Sequence, residues 1–475
     1  MALENSKSSD LWRWRTQKFP IYGVRKSKNF RFMALEIEYI PIFAKQNPKE
    51  TMVEKRIIEQ VLSEQQEELT AWQDTELCSR KEEALVELDS NLAQVIIGVR
   101  RSGKSTLCCN ILKSHKEEFA YVNFDDERLQ HLQTSDLNTV LEVLYKIYGD
   151  FKYLFLDEIQ NIEGWHLFVN RLLRQRIHIL ITGSNAKLLS GELATHLTGR
   201  NNQIELYPFS FAEWCLCKGI DIKSKTTKAE AKKQVAFEEY LKQGGFPELL
   251  NNTNNARYVG NLVNSILKRD IEQRHKIKFT EAFEQLANHL MNLAPVTIIE
   301  KDLAAAVGIK SNHTANNYIS FLKEAYLLLG VKRFSTKSRQ RIRAEKVYPI
   351  DVALMDSRPD AFAGENIGWR LETIVLIELL RRNRPVNRDV YYYKNDSGYE
   401  ADFIVCEKNI VKEIYQVSYD ISKEKTRKRE LRGLLAASKD TLCNNLFLIT
   451  DSHREEVTIE DKKISIVPAY EWLLK

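Results

Sequence analysis

Three runs of consecutive apolar residues punctuate the first half of the chain: Gln94-Val95-Ile96-Ile97, Tyr153-Leu154-Phe155-Leu156 and Ile177-His178-Ile179-Leu180-Ile181. Unbroken, β-branched runs are the pattern of strands buried on both faces, hence of a parallel sheet between helical layers. Phe119-Ala120-Tyr121-Val122-Asn123-Phe124 and Gln203-Ile204-Glu205-Leu206 complete the predicted core strands. A charged amphipathic helix is expected over 53–68, and 207–275 reads mainly as helix, at 211–218, 229–242 and 257–274. Helices follow over 281–293 and 300–307, the latter ended by Gly308, and Ser311 is placed to cap a helix over 312–325. With strands over 326–331 and 346–350, this is the pattern of a winged helix. The remainder is α/β: a helix over 369–382, strands at 389–393, 401–405 and 412–417, a helix over 423–438 and a strand at 445–449.

Each early run ends in chemistry. Behind the first stands Gly98-Val99-Arg100-Arg101-Ser102-Gly103-Lys104-Ser105, the G-x-x-x-x-G-K-S/T spacing, leading through Thr106 into a helix. Gly98 and Gly103 allow the backbone to wrap so that N–H groups converge on phosphate oxygens, and the helix N-terminus adds its dipole. Lys104 is expected to reach the β- and γ-phosphates and the Ser105 hydroxyl to ligate Mg²⁺. The second run ends in Asp157-Glu158, with Asp157 expected in the Mg²⁺ shell and Glu158 polarising the attacking water. A solvated turn would also suit two acids. The third ends in Thr182-Gly183-Ser184-Asn185, where Ser184 or Asn185 would sense the γ-phosphate or orient the water, or simply cap a helix.

Further segments fit one pattern: Asn123-Phe124-Asp125-Asp126, Asp157-Glu158-Ile159-Gln160, Leu197-Thr198-Gly199-Arg200, Tyr207-Pro208-Phe209-Ser210-Phe211 and Gly244-Gly245-Phe246-Pro247-Glu248. With these, residues 52–475 resemble a prokaryotic family of AAA-type P-loop ATP-binding proteins whose ATPase is followed by a C-terminal domain of unknown function. The resemblance implies a P-loop core with a helical lid, Mg²⁺, hydrolysis of ATP to ADP and phosphate, and ATP rather than GTP. It also implies that Asn123 holds Glu158 in an inactive pose and that Arg200 is an arginine finger. The alternatives are an ordinary strand end and a surface arginine. A finger acting on a neighbour's ATP would require a homo-oligomer.

The expected divisions are an unassigned extension over 1–51, an N-terminal helical segment over 52–91, the ATPase core over 92–206, a helical lid over 207–280, a winged helix over 281–350 and an α/β domain over 351–475. The helix over 312–325 would offer Asn312, His313, Asn316 and Asn317, of which Asn316 and Asn317 are expected to meet base edges of DNA or RNA. Lys337, Arg339, Arg341 and Arg343 on the wing would neutralise phosphates, unless the winged helix packs on protein. Within 207–280, Leu267-Lys268-Arg269-Asp270 is expected to be a solvated helix face rather than a charge near the nucleotide.

The C-terminal element order resembles a PD-(D/E)XK nuclease-like (restriction-endonuclease-like) fold, which needs a helix Glu, a strand Asp and (E/Q)-x-K on the next strand. Glu372, Asp402 and Gln416 take three of these places, but Ser418 stands where the lysine belongs. Either Lys425 or Arg429 replaces its charge, or the domain only binds.

Composition adds bounds. At 475 residues the chain exceeds one domain, and no apolar run approaches the ~18 residues of a bilayer span, so no membrane partner is expected. The start, Met1-Ala2-Leu3-Glu4, has no apolar signal core, and the seven cysteines show no C-x-x-C, so a cytoplasmic protein with reduced thiols is expected. A net charge of +5 permits nucleic acid without demanding it. Residues 1–51, with Trp12, Trp14 and Phe19 among many cations, receive no role. The leading expectation is an ATPase acting on or regulated by nucleic acid. The alternatives are a nucleotide-dependent signalling or protein-interaction switch and an ATP-gated, Mg²⁺-dependent nuclease.

Overall fold

The computed structural model describes residues 53–73, 77–115, 118–184, 197, 199–251, 255–335, 345–356, 366–382, 385, 387–408 and 410–475. Asn185 and the four wing residues Lys337, Arg339, Arg341 and Arg343 lie outside them. Residues 52–475 form one compact unit.

The apolar runs form a five-stranded parallel sheet, β1 (Ala93–Ile97), β2 (Phe119–Asn123), β3 (Tyr153–Asp157), β4 (His178–Gly183) and β5 (Asn201–Glu205), in the order β2-β3-β4-β1-β5. β1 and β3 are buried along their whole length, whereas the edge strand β5 is largely open, which is why its sequence is polar. Register brings the strand ends together. Ile97 lies beside Gly183 and Glu205, and Asn123 beside Asp157. The phosphate loop, Asp157 and the end of β4 therefore share one sheet edge, the edge at which open α/β sheets bind ligands.

Helix α1 (Lys55–Gln73) runs longer than expected. Ile58, Val61 and Leu62, fully buried, form its inner stripe, and Gln65 exchanges hydrogen bonds with both backbone groups of Asn123. This helix thus caps the edge of the nucleotide sheet. α2 (Lys104–Leu112), α3 (Leu137–Tyr148) and α4 (Trp165–Arg174) complete the layers.

The helical region holds α5 (Phe211–Cys217), capped by Ser210 with Glu213 in a reciprocal box, α6 (Thr227–Gln243) and α7 (Asn255–Ser265). The helix expected over 257–274 is not uniform: after α7 it widens into a π-helical segment, Ile266–Glu272. Next come α8 (Thr280–Leu293), β6 (Val296–Thr297), α9 (Glu300–Ala306), α10 (Asn312–Glu324), β7 (Leu328–Lys332) and β8 (Glu345–Pro349). The strands form a small sheet in the order β6-β8-β7, and the Ser311 hydroxyl accepts from Thr314 N as its sequence position predicts.

The last part comprises α11 (Ile367–Arg381), β9 (Val390–Lys394), β10 (Glu400–Glu407), β11 (Ile410–Val417), α12 (Glu424–Thr441), β12 (Leu446–Thr450), β13 (Glu455–Ile459), β14 (Lys462–Pro468) and α13 (Ala469–Leu473). Its six strands lie in the order β13-β14-β12-β11-β10-β9; β13, β14 and α13 were not expected. Arg370 of α11, buried, donates to the Lys242 carbonyl at 2.8 Å and to those of Leu241 and Val352 at 3.4 Å, while Arg381 donates to Pro208 O. These bonds fasten the C-terminal sheet to the helical region.

One expectation about thiols fails. Cys78 and Cys217, 139 residues apart, are joined as a disulfide with Cα atoms 5.9 Å apart. Their approach is produced by folding and leaves no local spacing to read. Among the described residues no helix is long and apolar enough to cross a membrane.

Candidate functional site

The phosphate loop is built around two glycines that nothing else replaces. Gly98 has φ +151°, and a Cβ there would lie 2.1 Å from the Leu206 carbonyl oxygen; Gly103 has φ +94°. Lys104 is buried, and its Nζ donates to the loop's own carbonyls, Gly98 O at 3.2 Å and Val99 O at 3.1 Å. Burial lowers the proton affinity of its amine, opposed by the charges of Glu158 and Asp157.

Ser105 Oγ donates to Asp157 Oδ1 at 3.0 Å, so the two expected Mg²⁺ ligands are already in contact. Thr182 Oγ1 bonds the same oxygen, and the Tyr121 hydroxyl donates to Asp157 Oδ2 at 3.4 Å. Burial, then the neighbouring Glu158 carboxylate, pushes Asp157 up to about 6. Among the described residues no three His, Cys, Asp or Glu side chains converge as a metal cage. A hydroxyl and one carboxylate nevertheless suit Mg²⁺, which keeps water and phosphate oxygens as its other ligands.

Glu158 sits at φ +54°, a left-handed turn that lifts its side chain off the end of β3. Ser184 holds its carboxylate, with N at 3.3 Å and Oγ at 3.1 Å from Oε2, and Gln160 Nε2 bonds the same oxygen. Thr182 Oγ1 accepts from Glu158 N at 3.2 Å, tying both acids to one hydroxyl. Of the two expected sensors, Ser184 thus reaches the Glu158 carboxylate. Asn123 is turned elsewhere: its Oδ1 accepts from Asp125 N at 2.9 Å, the local turn that its type favours. The contacts holding Glu158 come from Ser184 and Gln160 instead.

Arg100 and Arg101, expected with Gly98–Thr106 to bind the nucleotide, have partners within the protein. Arg100 forms a forked pair with Asp270 on the π-helical segment, Nε–Oδ2 at 3.1 Å and Nη2–Oδ1 at 3.4 Å, and meets Asp125 at 3.2 Å. Asp270 is only 4% exposed, which overturns the expectation of a solvated helix face. A buried carboxylate requires a cation, and the cation lies 170 residues earlier in the chain. Asp270 and then Asp125 strengthen the hold of the Arg100 guanidinium on its proton, against the effect of burial. Arg101 pairs with Glu248 at 2.7 Å.

Sequence reasoning missed Arg80. Its buried guanidinium donates to Glu213 at 2.9 Å, Ser102 O at 3.2 Å and Tyr207 O at 2.7 Å, bracing the loop from behind. Arg200 lies at the opposite end of the sheet. Its carbonyl accepts from Ala93 N at 3.0 Å, at the start of β1, whereas the loop begins at the far end. Five residues of strand place the two ends roughly 15 Å apart. Arg200 is exposed there and does not serve the nucleotide of its own chain.

Of the expected nucleic-acid residues, Asn317 is exposed and its amide lies 3.3 Å from His313 Nδ1, while Asn316 is half-buried. In the C-terminal part, Glu372 and Asp402 come together around Lys346, 2.6 and 3.9 Å from its Nζ, and Gln416 lies on the strand paired with that of Asp402, whose Oδ2 accepts from Val417 N at 2.8 Å. The two expected substitutes for the missing lysine differ: Arg429 interacts electrostatically with Asp402. Lys425 is exposed, and Arg429 binds Glu430.

A family model described as an AAA domain matches residues 90–215, and two models of domains of unknown function, DUF8612 and DUF4143, match 234–360 and 368–472. The uncharacterized protein MJ1544 of Methanocaldococcus jannaschii is 35% identical over 404 residues, covering 82% of this chain and 90% of that protein. An uncharacterized protein of Haemophilus influenzae is 32% identical over 401 residues, covering 82% and 95%. Among solved structures, the Thermotoga maritima RuvB Holliday junction branch migration motor aligns over 61% of this chain and 95% of that one, at 16% identity and a TM-score of 0.28. A score of that size carries no argument about this chain. The phosphate loop, the Asp157–Glu158 edge and the extent of the two relatives agree: the chain belongs to the AAA-domain P-loop family that includes MJ1544 and its Haemophilus influenzae counterpart.

Proposed function

We propose that the protein is a Mg²⁺-dependent ATPase coupled to nucleic acid. The observation that carries the first part is the contact of Ser105 with Asp157, beside a Glu158 held by Ser184. Mg²⁺, held by Ser105 and Asp157, would neutralise charge shared by the β- and γ-phosphates. Lys104 exchanges its two carbonyl acceptors for phosphate oxygens, and Glu158 draws a proton from the attacking water. Water oxygen bonds to the γ-phosphorus as the bond to the β,γ-bridging oxygen breaks, leaving ADP and phosphate. Arg200, far from its own loop, serves the nucleotide of a neighbouring copy.

The coupling runs through Arg100 and Arg101, which join the loop to Asp270 and Glu248. Nucleic acid would meet the exposed N-terminal end of α10 together with the basic segment that follows β7. This part is supported by the residue types at those positions, Asn312, His313 and Asn317 with Lys337, Arg339, Arg341 and Arg343.

The test is Mg²⁺-dependent ATP turnover with and without single- and double-stranded DNA and RNA, beside Glu158→Gln. The expected result is stimulated turnover that the substitution lowers about 10²–10⁴-fold. Turnover lost in Glu158→Gln yet indifferent to every nucleic acid would leave the ATPase standing and remove the coupling.

A further inference from the structure

The segment ahead of β1 is tied to α5 twice. Arg80 pairs with Glu213 at 2.9 Å, both side chains buried, and Lys81 N donates to the same Glu213 oxygen at 3.3 Å. Beside this pair, Cys78 is bonded to Cys217, the last residue of α5. The same segment also grips the nucleotide edge. Arg80 Nη1 donates to Ser102 O inside the phosphate loop, and Glu83 Oε1 accepts at 2.9 Å from Asn110 Nδ2 of α2, the helix that Lys104 opens. Residues 78–83 thus form one brace. A bond that a reductant cuts holds it to α5, and hydrogen bonds hold it to the loop.

Exposure separates this pair from the other cysteines. Cys78 and Cys217 are half-buried, next to the exposed Ser79 and to Leu216, which is 58% exposed. Cys108, Cys109, Cys215, Cys406 and Cys443 are buried, and burial pushes the Cys109 and Cys215 thiols up to about 12. Thiol–disulfide exchange needs an accessible sulfur and a thiolate, so it selects positions 78 and 217. The bond spans 139 residues and encloses all five strands of the parallel sheet, β1 to β5. Cutting it leaves the buried Arg80–Glu213 pair, so the brace loosens without being released.

We propose that Cys78 and Cys217 are a thiol–disulfide switch on the phosphate loop: the bond holds the Arg80 brace against Ser102, and reduction by a dithiol slackens it. Its effect on ATP rests on the nucleotide-binding reading given above; its effect on the loop does not. A thiolate of the reductant attacks one sulfur. The Cys78–Cys217 bond breaks and its electron pair leaves on the other sulfur, which takes up a proton. The reductant's second thiol then displaces the first protein sulfur from the mixed disulfide, and that sulfur is protonated in turn. The protein gains two electrons and two protons as two thiols, and the dithiol becomes a disulfide. A small-molecule disulfide reverses the exchange. With the bond closed, Ser102 O is fixed and the loop's N–H groups are set for phosphate before it arrives. With the bond open, binding has to order the loop, and affinity falls.

The test compares the full chain equilibrated with oxidised glutathione and the same chain reduced by dithiothreitol. Thiols are counted in denaturant, amide hydrogen exchange is followed over residues 98–106 without nucleotide, and Mg²⁺·ADP is titrated calorimetrically. Five thiols are expected in the oxidised chain and seven in the reduced one. Reduction is expected to quicken exchange over 98–106 and to weaken Mg²⁺·ADP binding, each about tenfold. Cys78→Ser and Cys217→Ser are each expected to match the reduced chain under both conditions. The unaltered chain carries the comparison by itself should either variant fail to fold. Seven thiols after oxidation, exchange over 98–106 that is the same in both forms, or a response to dithiothreitol that persists in Cys78→Ser overturns the proposal. Quickened exchange with no Mg²⁺·ADP bound in either form supports the switch and counts against the nucleotide-binding reading instead.

Discussion

Replacing Asp270 by Asn tests whether the phosphate loop is fastened to the π-helical segment. The substitution keeps the side chain's shape and removes its charge. Two charge-assisted bonds are weakened, at 3.1 and 3.4 Å, of which the longer counts for little. Removing one member of a fully buried pair costs about 3–5 kcal/mol. Arg100 is 19% exposed and retains Asp125 at 3.2 Å, which brings the expected cost to about 2–3 kcal/mol. The assay is amide hydrogen exchange over residues 266–272, because exchange reads local opening and needs no two-state unfolding of a multidomain chain. Exchange there is expected to quicken about 30- to 150-fold. A double-mutant cycle with Arg100→Met is expected to give a coupling of about 2 kcal/mol. Unchanged protection in Asp270→Asn, or a coupling below about 0.5 kcal/mol, would refute the fastening.

Asp157 titrates at about 6 because it is buried beside Glu158, so Mg²⁺-dependent nucleotide binding is expected to weaken as pH falls from 7 to 5. The stability effect has the opposite sign: the folded chain holds this proton more tightly than the unfolded one, so this group's contribution improves as pH falls from about 6 towards 4. Calorimetric Mg²⁺·ADP titrations and melting curves across that range separate the two, and a binding profile flat in pH would count against the assignment. Gly98→Ala should abolish nucleotide binding, since its Cβ would meet the Leu206 carbonyl at 2.1 Å. Gly149→Ala, at φ +70° and ψ −150° but with nothing within 4 Å, should lose about 1–3 kcal/mol in denaturant titration from backbone strain alone and keep binding. Ser184→Ala frees one oxygen of Glu158 and is expected to lower kcat about tenfold at unchanged nucleotide affinity; equal turnover would remove Ser184 from the site.

The nucleotide edge was legible because its signals are local. An apolar run, a turn and a charged or hydroxylic residue lie within ten positions of one another, and parallel register does the rest. Thr182 was overlooked although it stands in the same run as Ser184, because a threonine closing a strand is ordinary by composition. Asp270, Arg80 and Lys346 were illegible for another reason. Each is defined by a partner on a different element, Asp270 170 residues from Arg100 and Arg80 133 residues from Glu213. Burial alone turns such residues from surface charges into paired ones, and a sequence does not print burial. Lys346 is the same case: its Nζ lies 2.6 Å from Glu372 Oε1, reached from a different sheet.

The hold of Arg370 on three backbone carbonyls has a consequence for descent. A donor that addresses carbonyl oxygens asks nothing of those partners' side chains, so only Asp356, whose carboxylate Arg370 also pairs with at 2.5 Å, is tied to it by side-chain type. As far as this grip is concerned, residues 241, 242 and 352 are free to change one at a time, and no compensating exchange at 370 is called for. Loss of the arginine itself has no such remedy, because no single substitution opposite it restores the bonds. The joint between the nucleotide-binding half and the C-terminal sheet should therefore leave an asymmetric record among descendants: position 370 held, 241, 242 and 352 drifting without covariation, and only 356 tied to it by charge. Shuffling either half onto another protein would break it, so the two are expected to be inherited as a block.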